Sequence, residues 1–159
     1  MTRLDGWGPT NERVVDAVPR GHGKTTTLVA AFRLGGPFAP MVVDGAPDGE
    51  LFVAYLRQEL APLLRPGDVL VLDNLPTHEV KGVAEAVHAR DARVLYLPPY
   101  GPDFDPIEPV FSKIENELRR RELRTIPALE DAFGESLDWI TRQDACHYFQ
   151  HSGYSPGRK

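Results

Sequence analysis

Residues 69–74 read VLVLDN, and this short stretch decides the fold class. A run of four valines and leucines is typical of a strand buried on both faces, as in a parallel sheet covered by helices. Asp73 and Asn74 follow where that strand ends. Because function in open α/β sheets gathers at the carboxyl ends of strands, Asp73 is a candidate functional residue. An aspartate there can equally end the strand and cap a turn, so the residue alone leaves both roles open.

Hydrophobic periodicity on either side of this strand predicts the order β-β-α-β-α-β-α-α. The order predicts an α/β layered domain with a partly parallel sheet. The predicted elements are a hairpin with strands over 25–34 and 38–43, a helix after Asp48, a helix opening at Thr77, a strand over 93–97, a helix from Ile107 to Leu118, a helix starting near Thr125, and a short helical turn over 145–150.

The chain has 159 residues, 42% of them hydrophobic, which suits one domain with a sizeable core. We predict a single domain over 1–159, with mainly irregular structure over 1–23 and a frayed tail over 154–159. No apolar run has the roughly 18 residues that a membrane helix needs, and no signal peptide is recognisable. The single cysteine, Cys146, fits a reducing cytoplasm.

The charge pattern does not identify a partner. The net charge of −5 argues against nucleic acid when the whole chain is summed, although an acidic metal site would contribute to that sum. Residues 113–124 hold five basic side chains against three acidic ones. A solvated helix face is the simplest interpretation of that run.

Glu108 admits two interpretations. Asp105-Pro106-Ile107-Glu108 has the layout of a helix start, in which a capping box would account for the glutamate. Alternatively, Glu108 in the first turn of a helix and Asp73 at the end of a strand could converge on divalent cations. Carboxylates that hold two cations about 4 Å apart support phosphodiester chemistry. Residue chemistry alone leaves both interpretations open.

Two blocks of sequence, VLVLDNLPTHEV at 69–80 and LYLPPYGPDFDPIEPVFSKIENELR at 95–119, resemble the DDE transposases of the mariner-like superfamily. The resemblance is to their bacterial insertion-sequence 630 branch. That branch has a strand ending in Asp-Asn with a nearby histidine, then a Leu-Pro-Pro-Tyr-Ser block ending in Asn-Pro-Ile-Glu. The 34 residues between Asp73 and Glu108 match its spacing. Gly101 replaces the usual serine and Asp105 the usual asparagine.

The resemblance implies a ribonuclease H-like fold with a mixed sheet and a two-metal DNA strand transferase. Asp73 and Glu108 would be catalytic residues and metal ligands, with Asn74 and His78 as site neighbours. The cofactor would be Mg²⁺ or Mn²⁺. The implied partners are DNA, as transposon ends and target, and a second copy or an intact transposase. No membrane is involved, and the location would be the bacterial cytoplasm, on the nucleoid when DNA is bound.

The family's first catalytic aspartate lies on the strand that opens the domain, upstream of a segment like residues 1–9. Asp5 and Asp16 are the early acids that could be proposed instead. Asp5 falls in a loop, whereas Asp16 stands between Val15 and Ala17. We therefore expect an N-terminally truncated catalytic domain that lacks its first strand and the helix-turn-helix domain. Such a chain should transfer little DNA by itself.

Two alternatives to an active transposase domain remain. One is an inactive remnant that binds or dimerises with an intact transposase. The other is a nucleotide-binding loop at GHGKTTT, residues 21–27. The phosphate-loop pattern requires glycine where Val18 stands, and a strand rather than a helix is predicted to follow.

Overall fold

The structure, a computed structural model, describes residues 9–11, 25–99, 101–123 and 125–155. The predictions of irregular structure over most of 1–23 and of fraying over 156–159 lie outside these ranges. The described strands are β1 (Thr26–Arg33), β2 (Gly36–Asp44), β3 (Val69–Leu72) and β4 (Arg93–Tyr96). The described α-helices are α1 (Gly49–Tyr55), α2 (Val83–His88), α3 (Glu108–Arg121), α4 (Ile126–Ser136) and α5 (Arg142–His151).

Short helical turns extend two of these helices and precede a third. A π-helical turn, Leu56–Leu60, and a 3₁₀ turn, Ala61–Leu63, continue α1. Further 3₁₀ turns lie at Pro102–Phe104, before α3, and at Leu137–Trp139, after α4. Among the residues that the structure describes, no helix is long and apolar enough to cross a membrane.

The four strands form two separate sheets. β1 and β2 pair antiparallel, and β3 and β4 pair parallel with Val69 opposite Arg93 and Leu72 opposite Tyr96. Strands of both orientations were expected, and both are present. The sequence predicted a mixed sheet that lacks its first strand, and within the described ranges no strand joins β1 to β3.

β1 separates two hydrophobic cores. Val29 and Ala31 on one face pack with α1, whereas Leu28 and Phe32 on the other face pack with α3 and α4. This division follows from the alternation of side chains along a strand. The fold is therefore layered, with α1 on one side of the hairpin and the C-terminal helices on the other.

An open cavity of about 910 Å³, which we call the inter-sheet cleft, lies between the two sheets. Every residue from Leu28 to Arg33 in β1 and from Val69 to Leu72 in β3 lines it. Consecutive strand residues point to opposite faces, so a cavity touched by all of them lies at the strands' edges. The cleft therefore separates two edges that no described strand pairs.

The helix predicted to open at Thr77 begins six residues later. Thr77 and His78 lie in a turn, and α2 starts at Val83 after Gly82, whose φ is 108°. The helical spacing of the apolar residues was correct for Val83 and Val87, which are fully buried. It failed for the start because residues 73–78 form turns, in which the carbonyl of Leu75 accepts from the backbone N–H of His78 at 2.8 Å.

The start of α1 was predicted correctly, and the length of α5 was not. The Asp48 side chain accepts from the backbone N–H of Leu51 at 2.9 Å, as predicted for a helix cap. The short turn predicted over 145–150 is a ten-residue helix, closed at its start by a capping box between Thr141 and Asp144. Beyond this helix, the Tyr154 hydroxyl donates to the carbonyl of Phe104 at 3.0 Å.

Candidate metal centre

Asp73 follows the last residue of β3 and is held by local turn structure. Its Oδ1 accepts from the backbone N–H of Leu75 at 3.2 Å. The strand-end role considered from sequence is therefore real, but it uses one carboxylate oxygen only. Within the described ranges, the other oxygen, Oδ2, has no hydrogen bond or ion pair. Asp73 can thus hold its turn and still offer an oxygen to a ligand.

His78 lies directly against Asp73. Its Nδ1 is 2.6 Å from Oδ1 of Asp73, although the ring N–H is not aligned with that oxygen as a hydrogen bond requires. The imidazole also contacts the ring of Phe52, with 4.3 Å between ring centroids. The structure therefore places His78 as a neighbour of Asp73, in the position that the sequence proposed.

Glu108 is the first residue of α3, and the capping-box interpretation of this residue is wrong. The residue before the helix, Ile107, has no side-chain cap, and Asp105 Oδ1 instead accepts from the backbone N–H of Ile107 at 3.2 Å. In the part of the chain that the structure describes, the Glu108 side chain has no hydrogen bond or ion pair. Its carboxylate is therefore available to a ligand.

One cavity of about 360 Å³ brings Asp73 and Glu108 together. Asn74 and Asp105 also line it, so three carboxylates and one amide face the same space. Asp73 and Asn74 follow the carboxyl end of β3, Asp105 lies in the loop between β4 and α3, and Glu108 begins α3. The backbone N–H of Leu97 donates to the carbonyl of Leu72 at 2.8 Å, which anchors the start of that loop beside β3.

The carboxylates of this cavity repel one another. Burial, followed by the charges of Asp105 and Asp73, raises the pKa of Glu108 above its ordinary value. Burial also raises the pKa of Asp105; the N–H of Ile107 opposes this shift, and the charge of Asp73 adds to it. A bound cation would relieve this repulsion, since an opposite charge favours the ionised carboxylate.

The chemistry of these side chains fits Mg²⁺ or Mn²⁺, which prefer oxygen ligands. Among the described residues, Asp73 and Glu108 each have a carboxylate oxygen without a partner, and Asp105 and Asn74 also line the cavity wall. Over the described ranges, no group of three or more His, Cys, Asp or Glu side chains is close enough to hold one ion. The residues present therefore fit as a partial ligand set, and octahedral coordination needs further oxygens from elsewhere.

Asp105 is the acidic residue whose place in the cavity the sequence did not reveal. Its position before Pro106 indicated a helix cap, and it does bind a backbone N–H there. The signal in the sequence was that Asp105 lies three residues before Glu108, because side chains this close at the start of a helix can reach the same cavity. Asp5 and Asp16, the early acids considered from sequence, lie outside the described residues.

The basic run does not form a free cationic surface. Lys113 pairs with Asp144, and the three arginines of α3 pair with glutamates of α3 and α4. The distances run from 2.7 to 3.1 Å, and Arg124 lies outside the described residues. These contacts agree with the solvated helix face inferred from sequence.

The phosphate-loop alternative also lacks its helix, because β1 follows residues 21–24.

Comparison with known proteins identifies the family. Residues 1–130 match the DDE superfamily endonuclease family. The chain also resembles the crystal structure of the Mos1 strand transfer complex, with a TM-score of 0.73 and 16% identity over 94% of this chain and 46% of that one. The crystal structure of the Mos1 mariner paired-end complex with Mn has a TM-score of 0.70 and 15% identity over 94% of this chain and 47% of that one. No curated protein sequence matches the chain.

The catalytic domain of Mos1 mariner transposase, solved by itself, gives a TM-score of 0.65 at 15% identity over 80% of this chain and 68% of that domain. The chain spans about half the length of the Mos1 transposase in the complexes above. The structural likeness shows the fold, and the family match covers both Asp73 and Glu108. The chain belongs to the DDE superfamily of endonucleases and has the ribonuclease H-like fold of a mariner transposase catalytic domain.

Proposed function

We propose that this chain is the catalytic part of an insertion-sequence transposase of the 630 branch, which cleaves and transfers DNA strands with Mg²⁺ or Mn²⁺. One observation carries the proposal. Asp73 and Glu108, 34 residues apart, converge on one cavity, and each has a carboxylate oxygen without a protein partner in the described ranges. Paired carboxylates of this kind are ligands for hard divalent cations.

The side chains of the cavity would hold and position the cations. Divalent cations bound there would supply activation of a water or a DNA hydroxyl and stabilisation of the leaving oxygen. Asp73 and Glu108 act as ligands, and Asp105 adds negative charge beside them. Because the pKa of Glu108 is raised, protons compete with the metal for its carboxylate. Metal affinity should therefore increase as the pH rises through the titration of Glu108.

The proposed partner is DNA, both transposon ends and target. The solved relatives include a strand transfer complex and a paired-end complex of Mos1, which supports a DNA partner for this chain. A second copy of the chain or an intact transposase is the proposed protein partner. We place the protein in the bacterial cytoplasm, bound to the nucleoid when it holds DNA.

We further propose that the described elements form a partial domain, which one strand in the inter-sheet cleft would complete. A six-residue strand occupies on the order of 1,000 Å³, given a rise of about 3.3 Å per residue, a spacing of about 4.8 Å and a sheet thickness of about 10 Å. The cleft measures about 910 Å³, and it reaches Asp73, Asp105 and Glu108. A strand running parallel to β3 would end beside Asp73 and could supply the third carboxylate.

Cleavage of supercoiled plasmid in Mn²⁺ tests the function. The chain alone should nick little DNA. A synthetic peptide of five valines and leucines followed by aspartate, added in excess, should raise nicking, and the same peptide ending in asparagine should not. Asp73→Asn and Glu108→Gln should abolish the peptide-dependent activity.

Nicking that survives Asp73→Asn would contradict the proposed site. Efficient cleavage by the chain without peptide, abolished by that substitution, would instead contradict the partial-domain proposal. A second candidate function is a non-catalytic remnant that binds an intact transposase, and the open edges of β1 and β3 favour it. Co-purification with an intact transposase, together with no nicking under any peptide condition, would favour the remnant.

A further inference from the structure

The segment between β3 and α2 folds back so that His78 returns to Asp73. Asp73 Oδ1 accepts from the N–H of Leu75, and the carbonyl of Leu75 accepts from the N–H of His78 at 2.8 Å. Pro76 occupies the second position of this four-residue turn, where its fixed φ is favoured. Two successive turns therefore place the imidazole at a carboxylate five residues earlier in the chain.

His78 is held at three points, one on its backbone and two on its imidazole. The Tyr96 hydroxyl of β4 donates to the His78 carbonyl at 3.0 Å. The ring of Phe52, a buried residue of α1, contacts the imidazole with 4.3 Å between centroids. On the remaining side, Nδ1 is 2.6 Å from Asp73 Oδ1. These contacts fix the His78 backbone to β4 and its ring to α1, so the ring has a defined position beside the Asp73 carboxylate.

We infer that His78 is a positioning residue that fixes the Asp73 carboxylate in the orientation needed to bind metal, an inference that rests on the proposed function of this site. His78 and the Leu75 N–H both contact Oδ1 and hold it towards the protein. Oδ2, which has no partner in the described ranges, is then presented to the cation. Side chains that orient a metal ligand in this way typically affect metal affinity by about 10- to 100-fold.

Two substitutions separate positioning from simple packing. His78→Asn keeps a polar nitrogen near the place of Nδ1 and loses the ring. His78→Leu keeps an apolar side chain against Phe52 and loses the nitrogen that contacts Asp73 Oδ1. His88→Ala, on the exposed end of α2, serves as the matched histidine control.

The first measurement is the χ1 rotamer of Asp73, obtained from three-bond NMR couplings on the metal-free chain. We expect one rotamer in the wild type, in His78→Asn and in His88→Ala, and averaged couplings in His78→Leu. This readout does not depend on metal binding, so it separates the inference from the proposed function. A single rotamer in His78→Leu, or averaging in His78→Asn alone, would overturn the positioning role.

The second measurement is Mn²⁺ affinity, from the broadening of amide signals near the site. His78→Leu should weaken binding by at least tenfold, and His78→Asn should recover most of it. Equal affinities in wild type and His78→Leu would overturn the inference. If the wild type itself binds no Mn²⁺, the proposed metal function fails, and the rotamer measurement still decides whether His78 positions Asp73.

Discussion

Asp105 stabilises the start of α3, and its charge also repels the other carboxylates of the site. Its carboxylate accepts from the backbone N–H of Ile107, which shapes the entry into α3, and it faces Glu108 and Asp73 across the cavity. Asparagine, the usual residue in the insertion-sequence branch, would make the same backbone contact without the charge. The side-chain oxygen therefore serves the start of α3, whereas the negative charge acts on the cavity.

Replacing Asp105 by asparagine should lower the pKa of Glu108 towards its ordinary value, because the charge of Asp105 is among the causes that raise it. NMR titration of the Glu108 carboxyl carbon would measure the change. Asp103→Asn, in the same loop but on the surface and outside both cavities, is the control. An unchanged Glu108 titration in Asp105→Asn would show that the charge of Asp105 does not contribute to the shift.

The same substitution should change how stability depends on pH. The raised pKa values of Asp105 and Glu108 mean that the folded chain binds protons more tightly than the unfolded chain. These two groups therefore add to the free energy of unfolding at acid pH. Their contribution falls as the pH rises through the pKa values that they have in the folded chain. Asp105→Asn should reduce this fall above the ordinary carboxyl range of about pH 4, as measured by urea denaturation at several pH values. A steeper fall would contradict the assignment.

At the scale of elements, the start of α1 packs closely against Val80, two residues after His78, and this contact holds the turn that carries His78. A Cβ on Gly49, the first residue of α1, would lie 2.3 Å from Cγ2 of Val80, a distance that requires movement. Because valine is stiff at χ1, the segment itself would have to shift. The helix start and the histidine turn are therefore mechanically linked.

Gly49→Ala should destabilise the chain by about 1–3 kcal/mol through overpacking. Gly134→Ala, within α4, is the matched control, because a Cβ there meets nothing within 4 Å. This control should stabilise the chain by about 0.5–1 kcal/mol through helix propensity. Chemical denaturation of the two variants measures both effects. A neutral Gly49→Ala would show that Val80 moves aside without cost.

The elements best predicted from sequence are those with strong local patterns. VLVL became β3, the β-branched run after Thr25 became β1, and Asp48 capped α1 as expected. The start of α2 was missed because turn hydrogen bonds overrode helical spacing between Asp73 and His78. α5 was underestimated because its apolar stripe is weak, although Thr141 and Asp144 had the spacing of a capping box.

The candidate site was predictable only in part for a related reason. The spacing of Asp73 and Glu108 inside two recognisable blocks identified the pair, and the structure brings both to one cavity. The orientation of each carboxylate depends on tertiary contacts, such as Phe52 against His78, that no local pattern contains. The division of the strands between two sheets was likewise invisible, because strand pairing is a long-range property.

At the scale of the whole molecule, the main feature is the inter-sheet cleft between β1 and β3. It lies along edges of β1 and β3 that no described strand pairs, and edges of this kind are templates for another strand. Filling the cleft with one strand would join the two sheets into a single mixed sheet. A strand bound there would therefore couple the stability of the described elements to the completion of the site.

The apolar strand peptide described above should protect backbone amides of β1 and β3 from hydrogen exchange and raise the melting temperature of the chain. Binding to the folded state stabilises it in proportion to the logarithm of peptide concentration. A peptide of the same composition with a central proline is the control, because proline cannot donate to a strand ladder. Protection confined to other elements would show that the peptide binds elsewhere.

The most direct test of the central claim is whether Asp73 and Glu108 hold a divalent cation together. Titration of Mn²⁺ into the isotope-labelled chain, followed by paramagnetic broadening of backbone amides, should affect residues 73–78 and 105–108 first and should saturate. Asp73→Asn and Glu108→Gln should each weaken this binding by at least tenfold, whereas Asp103→Asn should leave it unchanged. Broadening that ignores these segments, or that persists equally in both variants, would contradict the account.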